Sequence, residues 1–197
     1  MRRSDWPPLI FFLIALLVGS PMAFSTENHE FLFYIAVLVV LGCFVAWVHV
    51  RVRLHPLSLW ALSIWAVLHL AGGLVHVSDE VGVLYNLWLI PARLKYDQLV
   101  HGFGFATSTW VAWQGLRSGL KAPVPTVGMV FLAVCAGMGL GALNEVVEFF
   151  ATLLMPETNV GGYVNTGWDL VSNLVGSTLA GALILFFGRR EQAESAD

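Results

Sequence analysis

Residues 31–50 read FLFYIAVLVVLGCFVAWVHV, a run without a single aspartate, glutamate, lysine or arginine. As a helix rising about 1.5 Å per residue, such a run covers about 30 Å, the thickness of bilayer hydrocarbon. Five further stretches have the same character: residues 8–24, 57–77, 97–116, 124–155 and 168–187. The fifth stretch of the six is interrupted only by Asn144, Glu145 and Glu148. Backbone amides find no water inside lipid, so each stretch is read as a helix that satisfies its own hydrogen bonds. Alternation of period two is absent, which removes a transmembrane β-barrel. The expected fold is therefore all-α: a polytopic transmembrane bundle of about six spans, forming one integral membrane domain over residues 1–197.

Composition agrees. Of the 197 residues, 57% are hydrophobic and 12% charged, and the mean hydropathy is +0.75. Soluble domains carry about 25% charged residues. Lysine and arginine occur singly or in pairs at the ends of apolar runs, so no nucleic-acid surface is expected. Cys43 and Cys135 each lie inside an apolar run without CxxC spacing, which suits packing rather than a disulfide or a zinc site. Arg2 and Arg3 before an apolar run ending in Gly19, Ser20 and Ala23 also fit a signal peptide. The weak cleavage site favours a retained helix, and cleavage would leave the other five unchanged.

Orientation follows from the basic residues. With a cytoplasmic N-terminus, the inside segments hold Arg2, Arg3, Arg51, Arg53, Arg117, Lys121, Arg189 and Arg190, and the outside segments only Arg93 and Lys95. This positive-inside bias places both termini in the cytoplasm. Trp6, Trp47, Trp60 and Trp113 then fall near the inner edge, and Trp168 near the outer. Ser78-Asp79-Glu80 resembles a helix start, and the apolar run Val81–Ile90 is expected to form a short interfacial or re-entrant helix ending at Pro91. Met155–Gly167 is read as a loop of tight turns, and the tail from Glu191 as polar and disordered. No internal repeat of the transporter kind is evident.

Ionisable side chains inside spans cost roughly 2.5–3.5 kcal/mol each at mid-helix, so their positions carry information. His69 and His76 are seven apart on the third span. Asp97 and His101 are four apart on the fourth, as are Asp169 and Asn173 on the sixth. Asn144, Glu145 and Glu148 lie together on the fifth, with Asn144 and Glu148 on one face. The topology places all four sets at the outer half of the bundle, as one polar pocket: His69, His76, Asp97, His101, Asn144, Glu145, Glu148, Asp169 and Asn173. Plainer readings stand beside this one. Thr166-Gly167-Trp168-Asp169 matches a capping box, and Asp97 in a first turn favours the helix dipole. A single histidine serves as an interhelical hydrogen-bonding group. The glutamates resist such readings, because they sit one turn apart near a helix C-terminus, where negative charge is disfavoured. Gly72, Gly73, Gly102, Gly104, Gly137, Gly139, Gly141, Gly176 and Gly181 would let these helices approach closely.

Three segments carry a family resemblance: Tyr96-Asp97-Gln98-Leu99-Val100-His101, then Asn144-Glu145-Val146-Val147-Glu148, then Trp168-Asp169-Leu170-Val171-Ser172-Asn173-Leu174-Val175-Gly176. In order and spacing they resemble the YjdF-type bacterial inner-membrane proteins and, more distantly, the VanZ-like family. The match runs from Tyr96 to Gly181. It departs from the VanZ-like pattern at Glu148, where a glutamine often stands, and in lacking a basic residue shortly before Asp169. The resemblance implies a bacterial cytoplasmic (inner) membrane and a role in or near the envelope, but no agreed reaction.

Three functions compete. Asp97, His101, Glu145, Glu148 and Asp169 form a donor set suited to a divalent metal such as Mn, Fe, Zn or Mg between bundle helices. Such an ion would offset repulsion between the glutamates. It could activate water against a lipid-linked ester or phosphate. The partners are then the lipid bilayer and a lipid or lipid-linked substrate. Only Arg93 and Lys95 are available outside to meet phosphate. The alternatives are a small ion- or proton-coupled transporter, and a structural or partner-binding protein. Against the transporter, helices four to six offer only Ser, Thr, Gly and Gln114 in their cytoplasmic half. Against a purely structural role, interhelical hydrogen bonds contribute only about 0.6 kcal/mol each on average in membranes.

Overall fold

The computed structural model of the chain describes the backbone of residues 2–122 and 124–194, and side chains up to residue 188. Six α-helices follow one another: α1 (Trp6–Ser25), α2 (His29–Val52), α3 (Pro56–Leu74), α4 (Tyr96–Gly119), α5 (Val127–Leu154) and α6 (Tyr163–Glu194). Their starts have local causes. Prolines occupy the first turns of α1 and α3, where a missing N–H costs nothing. Asn28 caps α2 by accepting from the Phe31 amide at 3.0 Å, and Thr126 caps α5 by accepting from the Met129 amide at 3.3 Å. The α4 start is held by Gln98, whose Oε1 accepts from the Lys95 amide at 2.9 Å. Arg53, in the left-handed region at φ 57°, ends α2.

Five of these helices are long and apolar enough to cross a membrane. Their outward side chains, such as Leu17, Val40 and Leu154, are about 70% exposed (73%, 68% and 68%), which is the surface lipid would cover. The remaining helix, α4, is the central one, packed against α3, α5 and α6. It buries Gln98, His101, Thr107, Ser108 and Thr109. The three hydroxyls donate to carbonyls one turn back, at 2.9, 2.9 and 2.8 Å, so a polar helix is tolerated inside the bundle.

Close approach of α4 to α6 depends on two glycines. A Cβ placed on Gly176 would lie 2.0 Å from the Gly102 carbonyl oxygen, so no side chain fits there. Two apolar clusters flank this contact. One joins α1, α2 and α3 through Ala23, Phe31, Tyr34, Leu38, Ala66 and Leu70. The other joins α4, α5 and α6 through Trp113, Val130, Ala133 and Ile184.

The segment between α3 and α4 differs from the expected short helix. It forms two small antiparallel hairpins, β1 (His76–Ser78) with β2 (Gly82–Val83) and β3 (Trp88–Ile90) with β4 (Leu94–Lys95), joined by a single 3-10 turn at Leu84–Asn86. The bond that suggested a helix cap is present: Ser78 Oγ accepts from the Val81 amide at 3.2 Å. It closes a turn instead, because Gly82 adopts φ 73° and β-branched Val81 and Val83 favour extended backbone. Pro91 and left-handed Ala92 (φ 55°) close the second hairpin. The third span accordingly ends at Leu74, short of residue 77.

The start of α6 also differs. It begins at Tyr163, so Thr166 and Asp169 lie inside the helix and form no capping box. The helix continues through Glu191–Glu194, where the polar composition suggests a disordered tail; residues 195–197 and the side chains from residue 189 onward lie outside the described ones.

Candidate functional site

His101 stands at the centre of the bundle's polar cluster. Its ring is buried at 6% exposure between α4, α5 and α6. Nδ1 lies 3.2 Å from Asn173 Oδ1, and 3.4 Å from Glu145 Oε1. Nε2 lies 3.5 Å from Asp97 Oδ1 and 3.6 Å from Glu148 Oε1. Asp169 completes a second group, with one donor atom each from Asp97, His101 and Asp169 inside 4.8 Å of one another. His101, Glu145 and Glu148 form an overlapping group by the same measure. The two triads share the imidazole.

Amides hold several of these carboxylates in place. Asn144 Nδ2 donates to Glu148 Oε1 at 2.8 Å, one turn away on α5. Asn165 Nδ2 donates to Asp169 Oδ2 at 2.6 Å and to Asp97 Oδ2 at 3.2 Å, bridging α6 to α4. The Lys95 ammonium donates to the amide oxygen of Asn165 at 3.3 Å and lies 5.5 Å from the centre of the Trp88 ring. Other polar atoms accept or donate no hydrogen bond among the described residues: both oxygens of Glu145, Oδ1 of Asp169 and Nδ2 of Asn173. Asp169 and Asn173 are fully buried and Glu145 is 8% exposed, so these are orphaned groups in a low-dielectric interior.

The charge arithmetic is lopsided. Four carboxylates face one imidazole, and Lys95 is the nearby ammonium. Even with His101 protonated, negative charge exceeds positive charge when the acids are ionised. Protons or a bound cation must supply the difference, because uncompensated carboxylates so close together repel and are costly to desolvate. The donor set is oxygen-rich with one imidazole nitrogen. Both cysteines are exposed and take no part. That chemistry suits hard to borderline divalent ions and not thiophilic ones.

Of the nine side chains the sequence grouped into one pocket, the structure brings seven together: Asp97, His101, Asn144, Glu145, Glu148, Asp169 and Asn173. His76 does not join them. It lies on β1, is 63% exposed at its side chain, and faces Asp79 at 3.4 Å, because α3 ends before it. His69 is set beside the cluster. The Tyr85 hydroxyl pairs with its Nδ1 and donates to the His69 carbonyl oxygen at 3.0 Å. A small cavity of about 20 Å³ lies between His69, Tyr34, Asn144 and Glu148, enough for about one water. Burial pushes the Tyr85 phenol well above its ordinary range, so it stays a neutral donor.

Sequence reasoning missed Asn165, the amide that ties Asp97 to Asp169. Its signal was present, since Asn165 and Asp169 are four apart, but Pro156 and the glycines at 161, 162 and 167 suggest a loop there. It also missed Glu30 in the first turn of α2, which accepts from the Asn159 amide at 2.8 Å and from Asn159 Nδ2 at 2.9 Å. This contact pins the α5–α6 loop to the same end of the bundle as the cluster. No local pattern marks it, because the partners are 129 residues apart.

Comparison with known proteins gives two matches. The family model described as "Predicted membrane protein (DUF2238)" matches residues 8–190. The chain is also similar to the inner membrane protein YjdF of Escherichia coli (strain K12), at 28% identity over 144 residues, covering 71% of this chain and 68% of that protein. No solved structure matches. The YjdF-type resemblance read from the three motif segments is thereby borne out.

Proposed function

The chain belongs to the family of predicted membrane proteins designated DUF2238, and from that premise we propose that its intramembrane polar cluster is a divalent-cation site. The ligands are drawn from Asp97, His101, Glu145, Glu148 and Asp169. The observation that carries this reading is the setting of His101. Asn173 Oδ1 at Nδ1 favours the tautomer that donates from Nδ1. Nε2 is then left with its lone pair directed at the side of Asp97 and Glu148. Metal-binding histidines are ordinarily oriented in this way, by a hydrogen bond to the nitrogen that does not bind. The unpartnered oxygens of Glu145 and Asp169 supply further donors. Asn144 and Asn165 orient the remaining carboxylates.

By the relative's name and the distribution of basic residues, the protein lies in the bacterial inner membrane with both termini cytoplasmic. The cluster then lies toward the outer leaflet, beneath the two hairpins. A divalent ion there would polarise an ester or phosphate oxygen and lower the pKa of a bound water. The substrate class that fits is a lipid or lipid-linked ester. The protein's own residues exclude bulk water, through the burial of His101 and Asp169, and fix donor positions through three amides. A through-membrane ion path receives less support. Beyond Asn173 the buried hydroxyls on α4 and α6 are committed to backbone: Ser177 and Thr109 both donate to the Phe105 carbonyl, at 3.4 and 2.8 Å, and Thr107 and Ser108 donate to carbonyls one turn back.

Thermal unfolding of detergent-purified protein tests the cation site. Wild type stripped with chelator should regain several degrees of stability on addition of Mn, Zn or Mg salts. His101→Ala should show no response to any of them. Equal insensitivity of both proteins to chelator and to all three metals would overturn the proposal.

A further inference from the structure

The half of the bundle away from the hairpins holds a cavity between α1, α2 and α3 that the cation site does not use. It measures about 230 Å³. Phe12 of α1, Leu38 and Gly42 of α2, and Leu62 and Ala66 of α3 make most of its wall apolar. A dry apolar cavity of about 150 Å³ takes up benzene, so in proportion this one has room for roughly nine or ten carbon atoms. Ala46 and Val50 at its rim are exposed, so it is entered from the lipid.

One end of the cavity is polar. Asp5 and His49 both line it, at 2% and 7% exposure. The Asp5 carboxylate accepts from the Arg2 amide at 2.6 Å and from Arg2 Nε at 3.1 Å, and His49 Nε2 lies 3.1 Å from its Oδ2. A carboxylate can only accept, so Nε2 carries the proton. Nδ1 of the neutral ring is then a bare lone pair, buried and without a hydrogen bond among the described residues. Ser63 also lines the cavity, but its hydroxyl is spent on the Pro8 and Leu59 carbonyls, each at 2.9 Å. We propose that this cavity binds a neutral single-chain amphiphile of about ten carbon atoms, whose hydroxyl donates to His49 Nδ1.

Depth and chemistry together select this occupant. Asp5 precedes α1 and His49 lies in the last turn of α2, at the edge of the apolar spans. Leu38 lies about 16 Å further along α2, at 1.5 Å per residue. A molecule with its head at His49 and its chain toward Leu38 therefore runs parallel to the surrounding acyl chains. An apolar slot alone would take any hydrocarbon, whereas a buried acceptor left unpaired rewards a chain that brings a donor. An anionic head is disfavoured beside the Asp5 carboxylate, because the Arg2 guanidinium is already committed to Asp5 and to the Leu54 carbonyl. This site is independent of the cation cluster and stands or falls separately.

The test uses full-length protein in phosphatidylcholine nanodiscs, with decanol or decane brominated at the last carbon, compared at equal mole fraction in the bilayer. Bromine on a chain in the cavity quenches Trp65, which lines it on α3. Subtracting the signal of Trp65→Phe removes the other indoles. The alcohol should quench Trp65 at about a five- to tenfold lower mole fraction than the alkane, the effect of one net hydrogen bond. His49→Leu removes the acceptor while Arg2 still pairs Asp5, and should make the two probes equally potent. Should that variant fail to fold, Ala46→Phe closes the mouth while keeping Asp5 and His49, and should abolish selective quenching by the alcohol. Equal potency of the two probes in wild type means ordinary acyl-chain occupancy and would overturn the proposal. So would stronger quenching by the matching brominated ketone, which accepts but cannot donate, or an alcohol preference that survives whichever of the two variants folds.

Discussion

Asn173 Oδ1 sits 3.2 Å from His101 Nδ1, across the tight α4–α6 contact, and both side chains are buried. The contact turns the opposite edge of the imidazole toward Asp97 and Glu148. Asn173 therefore positions His101, although it need not touch a ligand itself. Asn173→Ala should weaken divalent-cation binding by about 10–100-fold. It should also cost about 1–3 kcal/mol of stability, because a buried donor loses its partner. Asn173→Asp keeps an acceptor oxygen and should recover cation affinity more fully than Ala does. Isothermal titration with Mn and Zn measures both; equal affinity in wild type and Asn173→Ala would show that the imidazole needs no such orientation. His76→Ala, on an exposed hairpin, should leave affinity unchanged.

The α4–α6 contact itself can be tested by adding a single methyl group. Gly176→Ala would place a carbon 2.0 Å from the Gly102 carbonyl oxygen, a backbone atom that cannot swing aside. Overpacking of this kind costs about 1–3 kcal/mol, and more where backbone must move. Gly139 has nothing within 4 Å of the same added atom, so Gly139→Ala should be neutral or slightly stabilising. Melting temperature and gel-filtration behaviour in detergent distinguish them. A Gly176→Ala protein as stable as Gly139→Ala would mean the two helices sit further apart.

Tyr85 links the 3-10 turn between the two hairpins to α3 through its bonds to His69. Its phenol is held well above the ordinary value by burial. Below about pH 10 the phenol is neutral in both folded and unfolded protein, and its contribution is intact. Above that pH the unfolded chain ionises first, so stability falls as pH rises. Melting curves between pH 8 and 11 should therefore show a steeper loss in wild type than in Tyr85→Phe. At pH 8 the variant should be less stable by about 0.5–1.5 kcal/mol, the net worth of a hydrogen bond. Parallel pH profiles would contradict the buried position of the phenol.

The bundle was legible in the sequence because lipid leaves a chain few options. Runs such as Phe31–Val50 must be helical, whatever they pack against. The polar cluster was legible for a related reason: charges inside spans are costly, and i, i+4 spacing puts Asp97 with His101 and Asp169 with Asn173 on shared faces. What failed lies at the membrane's edge, where that constraint relaxes. Val81–Ile90 is apolar enough for a helix, yet Gly82 and Ala92 at positive φ turn it into hairpins. His76 went with them, since its seven-residue spacing from His69 matters only if the helix continues past Leu74. Asn165 was hidden by the opposite error, because glycines at 161, 162 and 167 suggested a loop where α6 had already begun. The α4 segment shows the converse: its burial of Thr107, Ser108 and Thr109 makes sense only once neighbouring helices surround it.

Elemental analysis of protein extracted from membranes and purified without chelator bears most directly on the cation site. Wild type should carry close to one divalent transition-metal or magnesium ion per chain. A folded Glu145→Gln/Glu148→Gln double variant, verified by its helical circular dichroism and monodispersity, should carry almost none. Wild type with no stoichiometric metal, and no uptake after dialysis against Mn, Zn or Mg, would contradict the account and return the four carboxylates to protons alone.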